Sequence, residues 1–179
     1  MMPTLTTARL ELRPVTADVL DLLAGLYADP AVMRYVGCGE PLSRDHAAVR
    51  LRLMLGHWQD HGFGVCLVHD RTAGTFLGRC GLSYLGETGA VELGFMFAPP
   101  FWGRGYATEA GRACLEHGFG VLKLPRIVAI ARPENAASRR VLAKLGMRCA
   151  KMAEWDGGPV VWYEIEAAVA VSHCHSPPG

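Results

Sequence analysis

The stretch VELGFMFAPPFWGRGYATEAGRACLEHGFG, residues Val91 to Gly120, changes its pattern twice. It opens as an apolar strand, two prolines stop that strand, and helical spacing of apolar residues begins after Gly105. A helix start leaves backbone N–H groups without partners and carries partial positive charge. Glycines such as Gly103 and Gly105 let a ligand approach that backbone closely. The pattern therefore predicts a seat for phosphate or diphosphate at the mouth of this helix.

Two common phosphate motifs do not fit this turn. A Walker A loop ends in Gly-Lys-Ser/Thr, whereas Tyr106 and Ala107 follow Gly105 here. A dinucleotide fingerprint needs a third glycine where this chain has Thr108, and its acidic partner at the end of a second strand is not evident. A strand–helix turn whose glycines serve geometry alone stays open at this point.

The segments on either side of the turn predict one α/β (α+β) domain over residues 1–170, with residues 171–179 as a flexible tail. Antiparallel strands come first, and a strand–helix–strand–helix–strand unit occupies the second half. The second half contains a strand at 126–131, a helix from about 136 to 145, and a closing strand pair around a turn at 156–158.

Composition limits the kind of protein. Half of the 179 residues are apolar and the net charge is +1, which allows a full core and gives no general case for nucleic-acid binding. Six cysteines form no CxxC pair and mostly lie in apolar runs, which indicates buried thiols in a reducing compartment. No signal peptide or membrane-length apolar run is evident. We expect a cytoplasmic protein without a nucleic-acid or membrane partner.

No metal site is expected either. His57 and His61 are spaced i, i+4, but HWQDH lacks the glutamate of a zinc-protease helix, and a helix-end pair explains them. The SHCHS segment near the C-terminus places two histidines and a thiol in the predicted tail, which is not a catalytic metal site.

Two segments resemble a known family. WGRGYATEA, followed by NAASRRVLAKLGM, is similar to the two acetyl-CoA-binding motifs of the GNAT superfamily of N-acetyltransferases, and LTTARLELRPVT with GRCGL resembles its RimJ/RimL-type branch. The resemblance covers roughly residues 5–166. The superfamily pattern begins with Gln or Arg where this chain has Trp102, an aromatic that is common in the RimJ/RimL branch. The implied fold is a mixed, mostly antiparallel twisted sheet flanked by helices.

The resemblance implies acetyl-CoA as co-substrate, with no metal. The diphosphate would lie on the amides of the glycine turn, the strand before it would hydrogen-bond the pantetheine arm, and Asn135 would hold that arm from the other side. Positively charged side chains on the predicted helix at about 136–145 would bind the outer phosphates of the coenzyme. A solvent-exposed helix face also explains these side chains. The implied coenzyme contacts are Phe95, Met96, Phe97, Trp102, Gly103, Arg104, Gly105, Tyr106, Ala107, Thr108, Asn135, Ser138, Arg140 and Lys144.

The same resemblance suggests catalytic groups. Glu92 lies where relatives carry a proton-accepting carboxylate, with an ordinary solvated strand glutamate as the alternative. A backbone N–H near residues 95–97 would polarise the thioester carbonyl. Many members use a tyrosine at the position of Leu142, so Ser138 becomes the candidate acid for the leaving thiolate, and Tyr163 is a further candidate.

The predicted function is acetyl-CoA-dependent transfer of an acetyl group to a primary amine by direct attack in a ternary complex. The acceptor is either a protein N-terminal amine or a small-molecule amine, and a homodimer stays open. Acceptor-facing segments at 31–41 and 56–64 contain few acidic residues, so a polycationic acceptor lacks obvious counter-charge. The alternative is a non-catalytic acyl-CoA-binding module or sensor, which would need neither Glu92 nor Ser138. A dinucleotide oxidoreductase fails on the missing glycine.

Overall fold

The computed structural model describes residues 4–167, so the predicted tail lies outside the described residues. Within that range, eight strands form one sheet in the order β1-β2-β3-β4-β5-β6-β8-β7. The strands are β1 Leu5–Thr6, β2 Leu10–Pro14, β3 Val65–Asp70, β4 Phe76–Tyr84, β5 Val91–Phe97, β6 Arg126–Ala131, β7 Arg148–Trp155 and β8 Gly158–Glu166. The helices are α1 Leu20–Tyr27, α2 Pro30–Met33, α3 Arg44–His61, α4 Tyr106–Gly120 and α5 Ala136–Lys144.

The pairing of β5 with β6 opens the sheet. It is the one parallel pairing among the described strands, and its register consists of a single pair, Glu92 with Val128. β5 continues to Phe97 and β6 continues to Ala131, but the two strands do not pair with each other beyond this point. The two strands therefore diverge beyond Glu92 and leave a fork in the middle of the sheet.

Helices cover both faces of the sheet. Side chains alternate along β4, so Cys80 faces α4, where its sulfur lies 3.7 Å from that of Cys114. The neighbouring Arg79 faces the opposite side, where its guanidinium lies 5.6 Å from the ring centroid of Tyr27 on α1. The sheet around the fork between β5 and β6 therefore has α4 on one face and α1 on the opposite face.

Small residues allow α4 to pack closely on the sheet. A Cβ atom at Gly118 would lie 2.6 Å from Cδ1 of Ile127 on β6, and one at Gly111 would lie 3.5 Å from Cδ2 of Leu93 on β5. Ala110 is completely buried in the same interface. This close packing fixes the axis of α4 and, with it, the position of the glycine turn at its N-terminus.

The predicted fold, with its mixed and mostly antiparallel sheet, is confirmed, and three of its features were not predicted. β1 was not predicted, and β8 lies between β6 and β7 although it follows β7 in the chain. The short helix α2 was not predicted either. Asp29 caps it, its side chain accepting a hydrogen bond of 2.8 Å from the amide of Ala31.

No helix within residues 4–167 is both long and apolar enough to cross a membrane.

Candidate active site

Two cavities meet at the fork. The larger cavity, of about 610 Å³, is bounded by parts of α3, β4, β5 and the segment after β6. The smaller cavity, of about 420 Å³, is bounded by the end of β5, the glycine turn and α5. The residues that line both are Tyr35, Val36, Phe95, Met96, Asn135 and Ser138. A ligand in one cavity can therefore reach a ligand in the other at the diverging ends of β5 and β6.

The glycine turn forms one wall of the smaller cavity. Gly103 and Gly105 have φ angles of +72° and +80°, a left-handed conformation that favours glycine. Gly105 is the N-cap of α4 and offers no side chain to the helix amides. The first helical hydrogen bond runs from the amide of Glu109 to the carbonyl of Gly105, at 3.0 Å. The amides of residues 106–108 consequently have no partner within the helix, and these residues line the cavity.

Arg9 holds this turn from the N-terminal part of the chain. Its Nε donates to Glu109 at 2.7 Å, its guanidinium donates to the carbonyl of Arg104 at 3.0 Å, and it lies 4.5 Å from the ring centroid of Tyr106. The hydroxyl of Thr7 donates to the same carboxylate at 2.6 Å. Burial opposes ionisation of Glu109, but the hydrogen bonds from Thr7 and Arg9 outweigh it and lower its pKa. Neither Arg9 nor Glu109 was predicted as a site residue.

The end of β5 presents backbone groups to the fork. The amide of Ala98 donates to Leu77 on β4 at 2.9 Å, so alternation turns the backbone groups of Phe95 and Phe97 towards the β6 side. The carbonyl of Phe97 accepts a hydrogen bond of 2.6 Å from Nε1 of Trp102, which ties the turn to the strand. Because β6 has diverged here, the N–H and C=O of Phe95 face the cavities instead of a neighbouring strand.

Glu92 lies where the strands separate and lines the larger cavity. Burial raises the pKa of its carboxyl group to about 7. The charge of Arg79 and a hydrogen bond with the Ile130 backbone act in the opposite direction, and the charge of Asp156 adds to the effect of burial. A carboxyl group in this environment is unlike the solvated strand glutamate considered as an alternative, and it titrates in the range required of a general base near neutral pH.

Asn135 and Ser138 lie at the junction of the two cavities. The side-chain oxygen of Asn135 accepts a hydrogen bond of 3.1 Å from the amide of Ser138 and so caps α5. Arg140 and Lys144 lie one turn apart on α5 and line the smaller cavity. Of the predicted coenzyme contacts, all but Arg104 line this cavity, and Arg104 lies between two residues that do.

Tyr163 is placed away from the other predicted residues. It is 5% exposed, it lines neither cavity, and its hydroxyl accepts a hydrogen bond of 3.0 Å from Nε of Arg139. Alternation along β8 groups it with the buried Val161 and Ile165. The structure therefore does not bring Tyr163 to the fork.

His57 has a structural role. Its Nδ1–H donates to the carbonyl of Phe63 at 2.8 Å, and its Nε2 accepts from the amide of Tyr84 at 3.0 Å. Burial lowers its pKa, in keeping with a neutral ring. His57 thus joins the end of α3 to β4, and its ring contacts that of His61 at 4.6 Å. Among the described residues, no group of three His, Cys, Asp or Glu side chains is arranged to hold a metal ion.

The wall of the larger cavity differs in part from the expected acceptor segments. Segment 31–41 contributes Tyr35, Val36 and Gly37, and segment 56–64 contributes His57. The middle of α3 contributes Arg50 and β4 contributes Arg79, neither of which was predicted. No local pattern marks these two arginines, because their proximity depends on how α3 packs over the sheet.

Comparison with known proteins identifies the class. Residues 9–148 match the family model described as "Acetyltransferase (GNAT) domain". The chain is 35% identical to the "Uncharacterized protein YkkB" of Bacillus subtilis, over 89% of this chain and 94% of that one. It is 34% identical to the "FsC-acetyl coenzyme A-N(2)-transacetylase" of Aspergillus fumigatus, over 81% of this chain and 65% of that one. An acetyltransferase structure from Agrobacterium tumefaciens superposes with a TM-score of 0.82 at 26% identity, covering 93% of this chain and 95% of that chain.

The fold, the fork and these matches define an acetyltransferase. The chain belongs to the GNAT family.

Proposed function

We propose that this GNAT acetyltransferase transfers an acetyl group from acetyl-CoA to a primary amine by direct attack in a ternary complex. The observation that carries the proposal is the position of Glu92: a carboxyl group with a pKa of about 7 lies at the fork, in the larger cavity, which meets the cavity of the glycine turn there.

The smaller cavity suits coenzyme A. Its wall combines the unpartnered amides of residues 106–108, the left-handed turn at Gly103 and Gly105, and the basic side chains of Arg140 and Lys144. Backbone amides at a helix N-terminus bind diphosphate oxygens. The positive charges of Arg140 and Lys144 suit the remaining phosphate group of coenzyme A. Phe95 offers an N–H and a C=O for the amides of the pantetheine arm. When bound, acetyl-CoA supplies the acetyl group as a thioester.

Glu92 serves as general base in this proposal. An N-terminal α-amine has a pKa of ~7.7–8 and a lysine-like amine has a pKa of ~10.4. A lysine-like acceptor therefore depends more on a general base. At a pKa of about 7 the Glu92 carboxylate is substantially ionised at neutral pH and accepts the proton of the acceptor amine, directly or through water.

The oxyanion and the leaving thiolate need separate donors. The N–H of Phe95, preset by the strand, is aimed at the fork where the carbonyl oxygen gains charge. Ser138 lies at the junction and is assigned the donor role towards the sulfur, whereas Tyr163 lines neither cavity. No cysteine within residues 4–167 lines either cavity, which favours direct attack over an acyl-enzyme.

Finer assignments belong to the same proposal. Trp102 supports the RimJ/RimL-type branch, and its indole joins the turn to β5. Protein N-terminal amines and small-molecule amines are both retained as acceptors. Three buried free thiols, Cys66, Cys80 and Cys114, support a reducing, cytoplasmic location.

A thiol-release assay with acetyl-CoA and a panel of amines and N-terminal peptides tests the proposal. We expect amine-dependent release that Glu92→Gln abolishes near pH 7 and that the control Glu87→Gln retains, because Glu87 is exposed and lines neither cavity. Coenzyme binding without thiol release for any amine would indicate the non-catalytic binding module instead.

A further inference from the structure

Arginines dominate the charges of the larger cavity. Arg50, Arg79 and Arg132 line it, against the carboxyl groups of Glu92 and Asp156. Within residues 4–167, the ion pairs closer than 4 Å lie elsewhere: Arg9–Glu109, Arg13–Glu11, Arg44–Asp21 and Arg126–Glu164. The lining of this cavity therefore contains three arginines and two carboxyl groups, and the charge of Arg79 also acts on Glu92.

One of the three arginines is committed to the backbone. Arg132 donates to the carbonyls of Gly37 at 2.9 Å, Asp156 at 3.0 Å and Pro159 at 3.3 Å. These bonds tie the β7–β8 turn to the segment after α2. Arg132 is thus a structural part of the cavity rim, which leaves Arg50 and Arg79.

Within residues 4–167, Arg79 and Arg50 make no such hydrogen bonds to backbone carbonyls. Nε of Arg79 is buried and has no hydrogen-bond partner among the described residues. The guanidinium groups of Arg79 and Arg50 lie 5.6 Å and 5.9 Å from the ring centroid of the buried Tyr27. Two cations held around one ring, one of them with an unsatisfied buried donor, form an arrangement that an anion would satisfy.

The location of this pair suits an acceptor. Gly94 leaves room on β5, since a Cβ atom there would meet only a nitrogen of Arg79, at 3.9 Å. Gly94 is two residues from Glu92, a spacing of about 7 Å along a strand. Neither arginine lines the smaller cavity, whose basic residues are Arg34, directly after α2, and Arg140 and Lys144 on α5. A ligand that reaches both Glu92 and Arg79 therefore carries its amine and its anion roughly 7 Å apart.

We infer that the acceptor is a small primary amine bearing an anionic group, a carboxylate or a phosphonate-like group, which Arg79 and Arg50 bind while the amine faces Glu92. This inference rests on the proposed transferase function and names its acceptor class. It sets the acceptor apart from polyamines, because a second ammonium group would lie against two guanidinium groups.

Probes of equal length test the inference. The set is 4-aminobutyrate, 4-aminobutanol, 1,4-diaminobutane and 3-aminopropylphosphonate, assayed by thiol release from acetyl-CoA. We expect kcat/KM to be highest for the two anions and lowest for the diamine. The ratio of the carboxylate to the phosphonate tells the two anions apart.

Variants identify the residues responsible. Arg79→Met should lower kcat/KM for 4-aminobutyrate at least about tenfold, mainly through KM, the factor expected for one lost hydrogen bond to a charged group. It should change 4-aminobutanol far less, and Arg79→Lys should recover part of the loss. Arg52→Gln is the matched control, since Arg52 is exposed on α3 and lines neither cavity.

A binding measurement separates this inference from the transferase proposal. In the presence of coenzyme A, N-acetyl-4-aminobutyrate should raise the Tm of the wild-type protein more than N-butylacetamide does, and Arg79→Met should remove the difference. Equal effects of the two compounds, or an equal loss for all four amines in Arg79→Met, would overturn the inference. No thiol release with any probe, together with the expected Tm difference, would contradict the transferase alone.

Discussion

Glu92 should lower the free energy of unfolding near neutral pH, where its carboxylate accepts a proton in the proposed reaction. Its pKa is 4.5 in an ordinary environment and about 7 in the fold, because burial disfavours the charged form. Below pH 4.5 the group is protonated in both the folded and the unfolded chain, so it contributes no difference. Between pH 4.5 and 7 the unfolded chain loses the proton first, and the free energy of unfolding falls as pH rises.

The magnitude follows from the pKa change. A rise from 4.5 to about 7 corresponds to roughly 3 kcal/mol of destabilisation above pH 7. Glu92→Gln removes the ionisation and keeps the size of the side chain. For a chain of this size, the variant should gain about 6–12 °C in Tm at pH 8 relative to wild type and little at pH 4.5.

Thermal unfolding of both proteins across pH 4.5–8.5 measures this difference, with Glu87→Gln as the control for an exposed carboxylate. The same variant should lose turnover near neutral pH, so stability and activity move in opposite directions. A Tm difference that does not change with pH would refute the argument that Glu92 is held at the fork with a raised pKa.

Further variants test the glycine turn and the acid. Gly105→Val should abolish coenzyme A binding in calorimetry, because φ is +80° there and a branched side chain would crowd the amides; micromolar affinity in this variant would contradict the diphosphate seat. Arg9→Met should weaken coenzyme A binding about tenfold, through the lost anchoring of the turn, and an unchanged Kd would show that the helix fixes the turn without it. Ser138→Ala should slow thiol release while Tyr163→Phe should not, and wild-type turnover in Ser138→Ala would clear the serine of the donor role.

The local sequence predicted the turn and the helix start that line the smaller cavity. Gly103 and Gly105 mark a turn by their backbone requirement, and Asn135 marks a helix start, so each position follows from its own neighbours. Glu92 was predicted as the candidate base from the family resemblance and not from a local pattern of its strand.

The acceptor side could not be predicted in the same way. Arg50 and Arg79 come together through the packing of α3 over β4, and Arg9 meets Glu109 across 100 residues of chain. Neither contact leaves a periodic signal. The position of Tyr163 depends on the register of β8, which lies between β6 and β7 although it follows β7 in the chain. Strand propensity does not reveal this order.

A crystal structure of the protein with coenzyme A tests the central claim most directly. We expect the diphosphate on the backbone amides of residues 106–108 and the sulfur at the junction beside Asn135 and Ser138, with the larger cavity open to an acceptor. A diphosphate bound away from the glycine turn, or a sulfur that points away from Glu92, would contradict the account.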